Sequence, residues 1–132
     1  PRGPAQPSQP AVIGIGLDAV DIERFRDVLA RRPGFVARVF SEGEQADLAG
    51  RLDAVPGFAA RFAAKEATMK ALGVGLGGFA LGEVEVVRGP GGAPVLRASG
   101  RAAVLAESLG VSILHVSLTH TDLVASAVVV AS

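Results

Sequence analysis

The chain has no cysteine, which excludes disulfides, thiolate nucleophiles and zinc–thiolate centres. It has no excess of either charge, since 13 Lys and Arg balance 13 Asp and Glu. A balanced chain lacks both the basic surplus that drives generic nucleic-acid binding and the acidic surplus of disordered tails. Nor does it have an apolar run approaching the roughly 18 residues of a membrane span, although 49% of its residues are hydrophobic and its mean hydropathy is +0.42. Neither nucleic acid nor membrane is therefore an expected partner. A signal-peptide pattern is also missing, so a cytoplasmic location is expected. Lysine is nearly absent: only Lys65 and Lys70 are lysine, and they flank Glu66.

With 132 residues there is room for one domain. Residues 1–10 carry four prolines and no large apolar side chain, and read as a disordered leader or cloning remnant. The single domain is then 11–132. A domain of this size buries only about two thirds of its unfolded surface, so a chain this apolar is expected to self-associate.

From Ala11 the pattern alternates, with Ile13, Ile15 and Leu17 on one strand face and Gly14, Gly16 and Asp18 on the other. A helix over about 21–32 follows, with Ile22, Phe25, Val28 and Leu29 as its apolar stripe, and Pro33-Gly34 ends it. A short segment, 35–40, leads into Ser41-Glu42-Gly43-Glu44, a capping box that opens a helix to about Gly50. Pro56-Gly57 breaks the chain before a longer helix over 58–72, which Gly73 stops. Four glycines between Gly73 and Gly78 make a loop with exposed amides. Strands near 83–87 and 95–97, a helix over 101–109, and strands 113–120 and 123–130 joined as a hairpin complete the chain. Helices and strands segregate, there is no internal repeat, and the class is α+β.

The 58–72 helix, wound at about 100° per residue, puts Phe58, Phe62, Met69 and Leu72 on one stripe and Ala60, Ala63, Ala64, Ala67 and Ala71 on the opposite one, so both faces are expected to be buried. Glu66 and Lys70 share a seam between them, Arg61 lies on the other seam, and Lys65 falls within the bulky stripe. Two readings are open. One is a plain i, i+4 pair worth about 0.2–0.5 kcal/mol, with Lys65 laid along apolar neighbours. The other is a phosphate site, with Lys and Arg for charge, a carboxylate for a metal and glycine amides for oxygens. A P-loop is rejected because Gly-Lys-Ser/Thr is missing.

Asp18 either caps the first helix or supplies a second hard oxygen for Mg²⁺, which commonly takes one or two carboxylates and completes its shell with phosphate and water. His115, Ser117 and Thr119 alternate on one face of a late strand, either as an ordinary sheet face or as a donor row facing phosphate. The first helix begins acidic at Asp21 and Glu23 and carries Arg24, Arg26, Arg31 and Arg32. That polarity suits the helix dipole alone, and it also suits docking of an acidic protein.

Taken together, four motifs resemble the short phosphopantetheinyl transferases, the holo-acyl-carrier-protein synthase type. They are Gly14-Ile15-Gly16-Leu17-Asp18 with Ile22-Glu23-Arg24; Phe40-Ser41-Glu42-Gly43-Glu44; Arg61-Phe62-Ala63-Ala64-Lys65-Glu66-Ala67 with Lys70-Ala71-Leu72-Gly73; and His115-Val116-Ser117-Leu118-Thr119-His120. The resemblance covers about residues 12–130. It implies the phosphopantetheinyl transferase fold, an antiparallel sheet packed with a long central helix, assembled as a homotrimer with coenzyme A between subunits. It implies transfer of 4′-phosphopantetheine from coenzyme A to a serine of apo acyl carrier protein in fatty-acid or polyketide synthesis.

The resemblance also assigns roles. Asp18 and Glu66 would hold Mg²⁺, or Mn²⁺ in its place, and Lys70 would join them as the third catalytic residue by touching a phosphate or the leaving group. Arg61, Lys65, Gly73, Gly75, His115, Ser117 and Thr119 would contact coenzyme A. Arg24, Arg26, Arg31 and Arg32 would receive the acidic helix of the carrier. The chain departs from the family at Val74, where Thr is usual, and at Leu81-Gly82-Glu83, where Trp-Lys-Asp is usual. Glu66, Asp18 and a water molecule are all candidates for the base that takes the serine proton. The rival reading from another class is a trimeric coenzyme A or nucleotide sensor without transfer activity.

Overall fold

The computed structural model describes residues 11–132, so the leader expected at 1–10 lies outside the described residues. The alternating opening segment forms strand β1 (Gly14–Asp21), and its glycine face turns inward. That strand pairs antiparallel with the last one, β5 (Val124–Ala131), which pairs antiparallel with β4 (Leu114–His120) in the order β1-β5-β4. A separate antiparallel hairpin is made by β2 (Val84–Arg88) and β3 (Pro94–Ala98). The helices are α1 (Ile22–Arg31), α2 (Phe35–Val39), α3 (Glu42–Leu48), α4 (Val55–Ala71) and α5 (Gly100–Ser108). This is the α+β arrangement expected, an antiparallel sheet packed with a long central helix.

Small residues determine how closely α4 can lie on the sheet. A Cβ at Gly14 would fall 1.8 Å from the Ala71 carbonyl oxygen, and one at Gly16 would fall 1.8 Å from that of Ala67. Ala63, Ala64, Ala67 and Ala71 of the helix are buried, as are Ala125, Ala127, Val129 and Ala131 of β5. The opposite side of α4 packs Phe58 and Phe62 into a cluster with Phe25, Phe35 and Phe40, with ring centroids 4.8–6.5 Å apart. Both faces of α4 are covered, as its two stripes predict.

Several boundaries differ from expectation for clear reasons. Helix α4 begins at Val55 and takes Pro56 into its first turn, where a missing N–H costs nothing because those amides have no intrahelical partner. The 35–40 segment is itself a helix, entered through Gly34 at φ 87°. The Ser41–Glu44 capping box forms as read. Asp21, not Asp18, caps α1 by accepting from the Arg24 amide, so the Asp18 carboxylate is not used as a cap.

The outer face of the sheet is apolar and uncovered. Ile15 and Leu17 are each 63% exposed. The register sets Ile15 beside Val130 and Leu17 beside Val128, with His115 and Ser117 beyond them on β4. No helix among the described residues is long and apolar enough to cross a membrane.

Candidate active site

Asp18 reaches the site because it is on the inward face of β1, two residues beyond Gly16, where α4 lies closest. Glu66 comes from α4, one turn before Lys70. The two carboxylates line one shallow hollow of about 400 Å³ together with Arg24 and Phe62. Burial, and then the Asp18 charge, pushes the Glu66 carboxyl above its ordinary value, with Lys70 acting in the opposite sense. Two carboxylates side by side in one hollow, one of them half-buried, form a hard-oxygen donor set whose repulsion a divalent cation would relieve. The residues present therefore fit Mg²⁺.

Lys70 does not pair with Glu66 as helix spacing suggests. Its Nζ donates to Asp18 Oδ1 at 3.1 Å and to the Leu17 carbonyl at 2.8 Å, across to β1. Asp18, Glu66 and Lys70 are thus brought together, as the sequence predicts, but with the lysine on the strand carboxylate.

Arg61 lies in a second groove, of about 440 Å³, shared with Arg88, Pro94 and Ser117. Its side chain is buried, with Nη1 3.4 Å from the Gly57 carbonyl and Nη2 3.8 Å from Asp47. Its Nε is a buried polar atom without a hydrogen-bond partner among the described residues. Burial holds the guanidinium below its ordinary value, and the charges of Asp47 and Glu44 oppose that shift. A guanidinium lining a groove suits an anion. Arg88, whose like charge also presses on Arg61, was not anticipated. Its only mark in the sequence is a basic residue at the end of a strand.

Lys65 corrects the sequence reading. It is fully buried, and its Nζ donates to Glu44 Oε1 at 2.8 Å and to the carbonyls of Leu81 and Val84. Burial pushes the ammonium below its ordinary value, and Glu44 opposes this. All three donors are used inside the fold, so Lys65 is an internal strut in this chain and not a contact for coenzyme A. Glu44, which reads only as a capping residue, is its buried partner.

The remaining expected residues are placed as follows. Gly73 ends α4 at φ 72°, and both Gly73 and Gly75 are in an exposed turn. His115, Ser117 and Thr119 are exposed on the outer sheet face, opposite to Asp18, with His115 Nε2 3.1 Å from Ser132 Oγ. Arg24, Arg31 and Arg32 border one surface groove along α1. Arg26 is instead held bidentate by Asp53 at 2.7 and 3.1 Å, which ties α1 to the start of α4.

The family model described as the 4′-phosphopantetheinyl transferase superfamily matches residues 14–128. The chain belongs to this superfamily. It is 47% identical over 121 residues to a holo-(acyl-carrier-protein) synthase of Streptomyces avermitilis, covering 92% of this chain and 98% of the relative. It is 43% identical over 113 residues to that of Moorella thermoacetica, with 86% and 88% covered. Among solved structures, the synthase of Neisseria meningitidis superposes with a TM-score of 0.83 at 27% identity, over 92% of this chain and 99% of that one. The Helicobacter pylori synthase in complex with coenzyme A superposes with a TM-score of 0.78 at 30% identity, over 89% and 99%.

Proposed function

We propose that the chain is a holo-(acyl-carrier-protein) synthase, moving 4′-phosphopantetheine from coenzyme A to a serine of apo acyl carrier protein. The observation that carries this reading is that Asp18 and Glu66 line one hollow while Lys70 donates to Asp18, on a chain similar to such synthases along almost their whole length. The serine oxygen forms a bond to the phosphorus that bears the pantetheine. The bond from that phosphorus to the bridging oxygen breaks, adenosine 3′,5′-bisphosphate leaves, and the serine proton is released.

Mg²⁺, or Mn²⁺ in its place, held by Asp18 and Glu66 would neutralise charge on the pyrophosphate. Lys70, one helical turn past Glu66, would stabilise the departing phosphate. Phe25 and Phe62 line the same hollow beside the two carboxylates. Arg61, which lines the second groove, takes a phosphate of the nucleotide end, and the Gly73 to Gly75 segment past the other end of α4 supplies backbone amides to the cofactor.

Within one chain the acidic hollow and the His115–Thr119 row face opposite sides of the sheet. A homotrimer that covers Ile15, Leu17, Val128 and Val130 would bring the row of one subunit toward the acidic hollow of the next, and the apolar outer face supports that assembly. Arg24, on the rim of the acidic hollow, with Arg31 and Arg32 on the same groove, receives an acidic helix of the carrier and places its serine at the metal. The reading carries a cytoplasmic location and a role in fatty-acid or polyketide synthesis. The test is the intact mass of apo acyl carrier protein after incubation with the chain, coenzyme A and Mg²⁺, with and without chelator. A gain of one phosphopantetheine that chelator abolishes is expected, and an unchanged carrier mass refutes the assignment.

A further inference from the structure

A lysine four residues after a glutamate on one helix ordinarily pairs with it. Lys70 leaves Glu66 and crosses to β1, where Asp18 Oδ1 and the Leu17 carbonyl both accept from its Nζ, at 3.1 and 2.8 Å. The Asp18 side chain is 19% exposed and the Lys70 side chain 54% exposed, so the carboxylate is fixed while the lysine stem is free to swing. Glu66 crowds the same hollow with a second negative charge. The ammonium thus sits against the carboxylate that, on the reading above, also holds the cation.

Resting on that reading, we propose that Lys70 is a counter-ion of Asp18 that yields this carboxylate to the divalent cation and moves to the phosphates of coenzyme A. The ammonium and the cation are like charges competing for one carboxylate, so metal entry is opposed until another anion takes the lysine. The pyrophosphate of coenzyme A is that anion. Metal and coenzyme A therefore bind cooperatively through Lys70, and by linkage each raises the affinity of the other by the same factor. The chain would take up the cation with its substrate and resist it alone.

The experiment is a Mn²⁺ titration followed by electron paramagnetic resonance, on the full chain, with and without coenzyme A and with no carrier present. Lys70→Met is expected to bind Mn²⁺ alone about tenfold more tightly than the unaltered protein, and to lose most of the gain that coenzyme A gives the unaltered protein. Lys70→Gln should behave in the same way and stands in if the methionine variant does not fold. Arg24→Met removes a positive charge from the same hollow without touching Asp18, and is expected to change Mn²⁺ affinity by no more than about twofold. Unchanged or weaker Mn²⁺ binding in both Lys70 variants overturns the proposal, as does an equal gain in Arg24→Met, which would reveal a general field effect. If the unaltered protein with coenzyme A takes up no Mn²⁺, or if Asp18→Asn leaves uptake unaltered, the two-carboxylate site itself fails, and this inference with it.

Discussion

Glu44→Leu should be among the most destabilising single substitutions in this chain, and more so than Lys65→Met. The pair is fully buried, and its two side chains join α3, α4 and β2. Glu44 Oε1 accepts from Lys65 and from the Ser41 amide at 3.0 Å, and Oε2 accepts from the Val86 amide at 3.1 Å. Removing Glu44 leaves a buried ammonium facing only the Leu81 and Val84 carbonyls and leaves two backbone amides without an acceptor. Removing Lys65 leaves a carboxylate that still has those two amides, while methionine refills the stem. Breaking a buried pair costs about 3–5 kcal/mol, and Glu44→Leu belongs at the upper end with its two orphaned amides. A domain of this size is stable by about 5–15 kcal/mol, so this variant loses a third or more of the total.

The assay is urea unfolding at one protein concentration for all variants, which holds the contribution of assembly comparable among them, run as a double-mutant cycle with Lys65→Met. A coupling of about 2–3 kcal/mol is expected, since contacting residues in one network couple on this scale. The same variants separate the internal role of Lys65 from a substrate role: folded Lys65→Met should keep its KM for coenzyme A within about threefold. Additive costs below about 1 kcal/mol each, together with a large rise in that KM, would refute the argument.

Other consequences follow from the same packing. Glu66→Gln should abolish most transfer while raising thermal stability at neutral pH. The folded carboxyl titrates above its ordinary value of 4.5, so its stabilising contribution is present below that value and lost as pH rises through the raised one. Melting curves should show the variant ahead above this window and level with the unaltered protein below it; equal stability at neutral pH would contradict the crowding of the two carboxylates. Gly16→Ala places a Cβ against the Ala67 carbonyl, which is backbone and cannot rotate away, and should cost about 3 kcal/mol or more by urea titration. Leu17→Asp should alter the fold little, since the side chain is exposed in one chain, but should turn the proposed trimer into monomers by light scattering. Trimers of that variant would remove the outer sheet face from the interface.

The parts of the site legible in the sequence were those held by local pattern. Strand alternation put Asp18 on the glycine face of β1, and helical periodicity put Glu66 and Lys70 on one seam of α4. The four motifs then tied these residues to a superfamily that the match over 14–128 supports. The partners that decide charge were hidden, because they come from contacts distant in sequence. Lys65 reads as a ligand until Glu44, 21 residues earlier, is found against it in the interior. Arg26 reads as part of a docking set until Asp53, 27 residues later, claims it.

The pairing of Lys70 shows how one such contact arises. Helix spacing alone offers it Glu66. The strand wins because glycine at positions 14 and 16 lets the α4 backbone sit almost on β1, which brings the Leu17 carbonyl and Asp18 within reach of a lysine one turn past Glu66. The two glycines act by removing the separation between two elements. The cost of filling them and the partner of the lysine are therefore one structural fact. An alanine at Gly16 that lifts the helix should also release Lys70 from Asp18, and the cooperativity between Mn²⁺ and coenzyme A should fall in whatever fraction of that variant still folds.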